Sequence, residues 1–188
     1  SPKHELTHYP AGAYGVERKK RKPQKVLFKN GTIWTSGPSG VLKNASVLIE
    51  DGKIKEINNT IEVGNEIEII DIQGKHLTPG LIDCHSHSAI SRGVNEGTHS
   101  VTVEVRIGDS VDPTDISLYR QLGGGLTTAN LLHGSANPMG GQNQVIKLRW
   151  GTGSDGMKFK GAKPGVKFAL GENVKQSNWG DKNTTRYP

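Results

Sequence analysis

The sequence is poor in features that mark several large classes of protein. It holds one cysteine among 188 residues, Cys84, so an intramolecular disulfide framework is excluded. No window approaches the roughly 18 consecutive apolar residues of a membrane-spanning helix. The start SPKHELTHYPAGAYG lacks an apolar stretch of signal-peptide length. Aromatic residues make up only 5% of the chain beside 25 glycines, which favours a loop-rich globular protein over a helical bundle.

The formal net charge of +6 does not by itself predict a nucleic-acid partner. Much of the excess lies between residues 18 and 29, and Pro23 then precedes a strand pattern. A nucleic-acid surface would interleave such charges with aromatic residues or place them along a recognition helix. We therefore interpret residues 1–24 as an extended arm or interdomain linker and expect no nucleic-acid partner.

Residues 25–79 have the pattern of a small β-rich domain. The stretch KVLFKNGTIWT places two β-rich runs around Asn30-Gly31, and ASVLIEDGKIKEI repeats the pattern around Asp51-Gly52. Both dipeptides supply the positive φ angles of tight hairpins, so each predicts a hairpin turn. The alternation continues through IEVGNEIEIIDIQGKHL.

Pro79-Gly80 predicts a boundary, after which the pattern becomes α/β. Residues 81–84 form a short apolar run typical of a strand buried on both faces, and burial of Cys84 is expected with it. The stretch VDPTDISLYRQLGGGLTTANLLHG predicts a helix capped by Asp112 and stopped by glycines, followed by a buried strand. QVIKLRW and VKFAL are further strand candidates, so the segment 80–188 predicts parallel strands in an α/β architecture.

His85 and His87 are separated by one residue directly after the predicted buried strand. In a strand this spacing places both side chains on one face, with Cα atoms roughly 6.5 to 7 Å apart. The carboxyl ends of strands are where barrel and open-sheet enzymes assemble their sites. Because neutral imidazole is a ligand for zinc and similar ions, the pair predicts a metal site; two solvated histidines on an exposed strand are the alternative.

The string HLTPGLIDCHSH resembles the signature of the metal-dependent amidohydrolase superfamily, in which a metal-binding His-x-His ends the first barrel strand. The stretches GGGLTTANLLHGSANPMGGQNQVIKLRWG and KFALGENVKQ resemble its imidazolonepropionase-like and metal-dependent exopeptidase branch. The resemblance implies a small β-sandwich followed by the first part of a (β/α)8 barrel. It also implies one or two divalent metal ions, zinc foremost, whose hydroxide attacks a carbon–nitrogen bond in an amide, cyclic amide or dipeptide.

Four further residues are candidates for that site. Lys167 resembles a bridging lysine that is carboxylated in some binuclear members, although a lysine on a strand is more often a surface charge. Glu172 follows it as an alternative carboxylate ligand, although a loop glutamate beside glycines needs no such role. His133 ends the predicted second strand and is placed to touch substrate or to cap a loop. Asp83 shares the histidines' strand face, where it either orients an imidazole or caps the strand end.

A complete (β/α)8 barrel needs about 250 residues, and no histidine follows His133 in this sequence. We therefore expect an N-terminal portion of a hydrolase, inactive alone and completed by the remaining barrel residues or a partner chain. A non-catalytic binding or scaffold module is the alternative. By resemblance we expect a bacterial periplasmic or secreted location, with a cytoplasmic one as the alternative.

Overall fold

The computed structural model describes residues 25–175, so the predicted linker 1–24 lies outside the described residues. These residues divide between Pro79 and Gly80 into two compact units. The division falls where the Pro-Gly dipeptide predicts a boundary. Among residues 25–175, no helix has the length and apolarity required to cross a bilayer.

The first unit is a single mixed β-sheet. Its strands are β1 (Val26–Trp34), β2 (Val41–Glu50), β3 (Lys53–Asn58), β4 (Glu68–Asp71) and β5 (His76–Leu77). The order is β3-β2-β1-β4, with antiparallel pairing among β1, β2 and β3, while β4 and β5 both run parallel to β1. A sandwich requires two sheets packed face to face. The described residues of this unit form only one, so the predicted β-sandwich is not observed there.

One of the two predicted hairpins is present and the other is wrong. Asp51 and Gly52 take positive φ angles of 52° and 71° and join β2 to β3 in a two-residue turn. Asn30-Gly31 lies instead inside β1, where the pairing with β2 changes register. Asn30 has a φ of 59°, which forms a bulge rather than a turn. A Cβ at position 31 would overlap the end of the Ile72 side chain, so a larger residue there would force that side chain to shift.

The second unit begins with a β-α-β arrangement. The parallel strands β6 (Leu81–Ser86) and β7 (Leu126–Leu131) are joined through a 3₁₀ turn (Ile107–Ser110) and helix α1 (Ile116–Gly123). Asp115 caps α1, with its carboxylate accepting from the Ser117 backbone N–H at 2.8 Å, and Asp112 instead accepts from Thr114. The helix and the parallel pair agree with the sequence pattern, while the cap lies three residues later than predicted.

The later elements do not extend the parallel sheet. They are β8 (Met139–Gln142), β9 (Gln144–Lys147), α2 (Ser154–Met157), β10 (Val166–Phe168) and α3 (Glu172–Lys175). β9 is antiparallel to β7 in the order β6-β7-β9, and β10 is antiparallel to β8 in a separate two-stranded sheet. Among the described residues of the second unit, the expected run of parallel strands is therefore limited to the β6–β7 pair.

The core of the second unit lies beneath β7 and β9. Leu118, Leu131, Ile146 and Met157 are each fully buried there. β6 contrasts with them: Leu81 is 59% exposed, Ile82 is 71% exposed, and Cys84 is exposed. The predicted burial of this strand on both faces is thus wrong for the described residues. The physical reason is that neighbouring side chains of a strand point to opposite faces, and residues 25–175 cover neither Leu81 nor Ile82. β6 is also an edge strand, paired only with β7 among these residues.

Candidate metal centre

The two histidines meet at the carboxyl end of β6. His85 belongs to the strand and His87 follows it, while the intervening Ser86 is buried on the opposite face. The two rings are nearly perpendicular, at 81°, with centroids 5.1 Å apart. Their Nε2 atoms face each other at 3.3 Å. The one-residue spacing therefore does bring both imidazoles to one point.

This separation has the value that two ligands of one ion require. Nitrogen ligands about 2.0–2.1 Å from a tetrahedral zinc ion stand about 3.3–3.4 Å apart. The 3.3 Å between the Nε2 atoms matches that spacing. Both rings are exposed, so an ion from solvent has access to them. The geometry suits one divalent ion held jointly by His85 and His87.

The backbone holds His87 in the tautomer that a metal ligand needs. Its Nδ1 lies 2.9 Å from the carbonyl oxygen of Leu132, the residue after β7. A carbonyl oxygen only accepts, so Nδ1 carries the proton and donates it. In the neutral ring this leaves the Nε2 lone pair directed toward His85. An outer hydrogen bond of this kind orients metal-binding histidines.

Lys167 is the third side chain at this point. It lies on β10, and its Nζ is 3.4 Å from Nε2 of His85. Burial lowers the pKa of the Lys167 amine. The charge of Lys167 lowers the pKa of His85, and partial burial and His87 act in the same direction, opposed by Asp83. Both shifts favour uncharged nitrogens, which are the forms that donate to a metal.

The comparisons with known proteins bear on the family of this chain and not on its individual site residues. No family model matches the sequence. The amidohydrolase tasK of Hapsidospora irregularis is 30% identical over 145 residues, 64% of this chain and 15% of that protein. A 5'-deoxyadenosine deaminase of Methanosarcina acetivorans is 44% identical over 68 residues, 35% of this chain and 15% of that protein. The crystal structure of an amidohydrolase from Thermotoga maritima is 37% identical, with a TM-score of 0.72, covering 81% of this chain and 40% of its own. Over the residues that they cover, these likenesses support the amidohydrolase superfamily for this chain.

The chain spans only part of these superfamily members. It covers 15% of the length of each curated relative and 40% of the solved amidohydrolase. Both curated relatives bear the names of enzymes that hydrolyse carbon–nitrogen bonds. The predicted imidazolonepropionase-like branch within the superfamily stays a prediction.

Asp83 makes the contact expected for the simpler of its two predicted roles. Its Oδ1 accepts from the backbone N–H of His85 at 3.0 Å. The carboxylate therefore caps the end of β6 and fixes the main chain of the first histidine. The described contacts include no hydrogen bond from an imidazole to this carboxylate.

Glu172 opens helix α3 and is exposed. Within residues 25–175 no group of three His, Cys, Asp or Glu side chains is arranged to hold a metal ion, so Glu172 is not grouped with the histidine pair. Its ligand role has no supporting contact in the described part of the chain. The side chain that lies beside His85 is instead that of Lys167.

His133 is placed inside the fold rather than at its surface. The residue is 2% exposed, its Nε2 accepts from the Glu96 backbone N–H at 2.7 Å, and its Nδ1 donates to the Gly134 carbonyl at 2.8 Å. Both ring nitrogens are thus satisfied by the backbone. The expected contact with substrate is not supported, because a buried and saturated imidazole has no group to offer.

Two residues that sequence reasoning missed hold the turn after His87. Ala89 is fully buried with a left-handed φ of 56°, and its N–H donates to Oδ2 of Asp115 at 2.7 Å. The same carboxylate caps α1 through its other oxygen. The Asp-x-Ser pattern that opens the helix was visible in the sequence, but its second bond joins residues 26 positions apart. No local pattern reports such a contact.

Proposed function

We propose that this chain supplies the first ligands of a divalent-metal centre in a hydrolase that cleaves a carbon–nitrogen bond. The observation that carries the proposal is the 3.3 Å separation of the His85 and His87 Nε2 atoms. Likeness to the amidohydrolase superfamily supports the reaction class. Amide, cyclic amide and dipeptide substrates all fit that class.

The donor set fits a zinc-like ion. Two neutral imidazoles bind zinc through Nε2 without neutralising its charge. The Leu132 carbonyl keeps the second imidazole in the required tautomer. When bound, such an ion supplies hydroxide at neutral pH and polarises a substrate carbonyl. The role of this chain is to hold and orient the two rings at the open end of β6.

Lys167, in carboxylated form, is proposed as the third ligand of this centre. Its lowered pKa favours the neutral amine, and that amine is the form that adds carbon dioxide to give a carbamate and a proton. The product replaces the amine beside His85 with an anionic oxygen donor. Hard oxygen donors and imidazoles together form a usual ligand set for divalent ions.

The β6-α1-β7 arrangement is proposed as the first βαβ unit of a (β/α)8 barrel. The parallel pairing of β6 with β7 supports this, as does the position of the histidines at the carboxyl ends of the strands. We propose that the rest of the barrel comes from residues outside this chain or from a partner chain. The 188 residues alone then bind metal without catalysing hydrolysis.

Metal titration of the purified chain tests the proposal. We expect zinc or cobalt(II) to bind, and His85→Ala or His87→Ala to weaken binding at least about 100-fold, since loss of outer hydrogen bonds alone costs 10- to 100-fold. His99→Ala is the matched control, because this histidine is exposed and lies outside the pair. Metal affinity that is equal in wild type, His85→Ala and His87→Ala would refute the site.

Two further measurements test the carboxylation of Lys167 and the inactivity of the isolated chain. Mass spectrometry in bicarbonate buffer is expected to show one added carbon dioxide that is absent from Lys167→Ala. Assays with amide, cyclic amide and dipeptide substrates are expected to show no turnover by the isolated chain. Metal-dependent turnover by these 188 residues would show that the proposed inactivity is wrong.

A further inference from the structure

Asn143 is hydrogen-bonded to the segment that leads into β10. It lies between β8 and β9, and its backbone N–H donates to the carbonyl of Gly165 at 3.0 Å. Its side-chain Oδ1 accepts from the Gly165 N–H at 2.6 Å. One residue thus satisfies both main-chain polar groups of Gly165. Because Gly165 lies two residues before Lys167, Asn143 holds the start of the strand that carries the lysine.

The other end of the Asn143 amide reaches toward the histidine strand. Its Nδ2 donates to Oδ1 of Asn130 on β7 at 2.7 Å, and Asn130 Nδ2 donates to the Cys84 carbonyl at 3.3 Å. Cys84 immediately precedes His85. A chain of side-chain amides therefore runs from the backbone beside one histidine to the backbone near Lys167. Both asparagines are half-buried, which strengthens such bonds over those in water.

This connection replaces a strand ladder that is absent between the two elements. Within the described residues β6 belongs to the three-stranded sheet and β10 to the two-stranded sheet, so no ladder sets their separation. The side chains of His85 and Lys167 nevertheless meet at 3.4 Å. The amide hydrogen bonds link the backbone of β6 to the backbone before β10, and the contact of His85 with Lys167 links the same two elements through side chains. Together these contacts form a closed circuit. The asparagines restrain the backbones, and the side chains then reach one point.

The circuit requires an amide at position 143. Asn offers an acceptor to Gly165 and a donor to Asn130 in one plane, whereas aspartate keeps the acceptor and loses the donor. Gly165 is also suited to the contact, because a Cβ there would lie only 3.2 Å from Asn143 Oδ1. Neither asparagine is among the atoms that meet at the histidine pair.

We propose that Asn143, supported by Asn130, is a positioning residue that sets Lys167 against the His85–His87 pair. The inference rests on the proposed metal centre and on the part that Lys167 has in it. It predicts that Asn143 affects metal binding only while Lys167 is present.

A double-mutant cycle on cobalt(II) affinity tests this dependence. The variants are Asn143→Ala, Lys167→Ala and the double variant, with the exposed Asn59→Ala as control. We expect Asn143→Ala to weaken binding about 10-fold, the lower end for an outer-shell residue. In the Lys167→Ala background the same change is expected to have an effect below about twofold. The visible cobalt spectrum of Asn143→Ala is expected to resemble that of Lys167→Ala.

Each outcome separates this inference from the proposed function. An equal loss of affinity on Asn143→Ala in both backgrounds shows a merely structural role and overturns the inference, while the metal site stands. If Lys167→Ala leaves the cobalt(II) affinity unchanged, Lys167 is not part of the site. The inference about Asn143 is then overturned as well. Unchanged binding in His85→Ala refutes the proposed metal centre itself. Asn143→Asp, with the Asn130 bond broken and the Gly165 bond kept, gives the same test if Asn143→Ala does not fold.

Discussion

The imidazole of His87 donates its Nδ1 proton to the carbonyl oxygen of Leu132 at 2.9 Å. The donor follows β6 and the acceptor follows β7, so the two parallel strands are linked at their carboxyl ends by this bond. A main-chain atom thereby sets the orientation of a side chain 45 residues away. The site is therefore built by strand pairing as well as by the His-x-His spacing.

This contact predicts the proton position in neutral His87. We expect the proton on Nδ1, because the carbonyl oxygen has no proton to give. Long-range nitrogen–proton correlation spectra of the labelled protein measure it, with the exposed His99 as the reference. Zinc is expected to shift the Nε2 signal of His87 and leave Nδ1 protonated. A neutral His87 with its proton on Nε2 would contradict the assigned geometry.

The Asp115 carboxylate predicts an acid-sensitive contribution to stability. Burial acts to raise the pKa of Asp115, but hydrogen bonds from Ser117 and Ala89 outweigh it and leave the pKa below its usual value. A lowered pKa in the folded state gives stability that is present above the unfolded pKa and lost as pH falls through the folded one. We expect Asp115→Ala to reduce the free energy of unfolding by about 1–2 kcal/mol at neutral pH.

Denaturant unfolding of Asp115→Ala between pH 7 and pH 3 measures this contribution. The difference from wild type is expected to shrink as the carboxylate of the wild type becomes protonated. The exposed Asp51→Asn serves as a control for a general charge effect. A stability difference that stays constant down to pH 3 would show that the carboxylate charge has no part in the cap.

Two leucines in the second unit provide a matched test of its core. Leu118 on α1 is fully buried, whereas Leu170 is 82% exposed. We expect Leu118→Ala to lower the free energy of unfolding by about 2–5 kcal/mol, since it loses apolar burial and leaves a cavity. Leu170→Ala is expected to change it by less than about 0.5 kcal/mol. Equal costs in chemical denaturation would mean that α1 does not pack as described.

Gly31 provides a test of the bulge in β1. We expect Gly31→Ala to destabilise the first unit by about 1–3 kcal/mol, because the new methyl group meets the side chain of Ile72. Ile72→Val removes the nearest atom, so the double variant is expected to lose less stability than the sum of the single variants. Gly64→Ala is the control, since a methyl group there meets nothing within 4 Å. Strict additivity would rule out the contact.

The sequence predicted the elements that depend on local chemistry. The Asp51-Gly52 turn, helix α1 and the strand after it follow from turn residues, helix stops and apolar periodicity. Asn30-Gly31 has the same local signal as Asp51-Gly52 but forms a bulge, because the parallel strands β4 and β5 hold β1 in one continuous element. The deciding contacts come from residues about 40 positions later, which a dipeptide cannot report.

The same distinction between local sequence signals and contacts from distant residues applies to the candidate site. Spacing alone places His85 and His87 on one face, and the structure brings their nitrogens together. The difference between exposed His85 and buried His133 depends on which backbone groups surround each ring, and that is a property of the fold. Asn143 lies in a polar stretch between β8 and β9, and no local pattern reports its partners on β7 and before β10.

The edge position of β6 gives the proposed metal ion a mechanical consequence. Within residues 25–175, β6 is paired along one side only, and an unpaired edge frays more readily than a central strand. An ion shared by His85, His87 and Lys167 fastens this edge to β10, an element of another sheet. Binding of the ion is then coupled to the ordering of β6, because the ion binds only when the strand holds both histidines in place. Slower exchange of the β6 amide protons with deuterium would then report the filling of the site without any substrate.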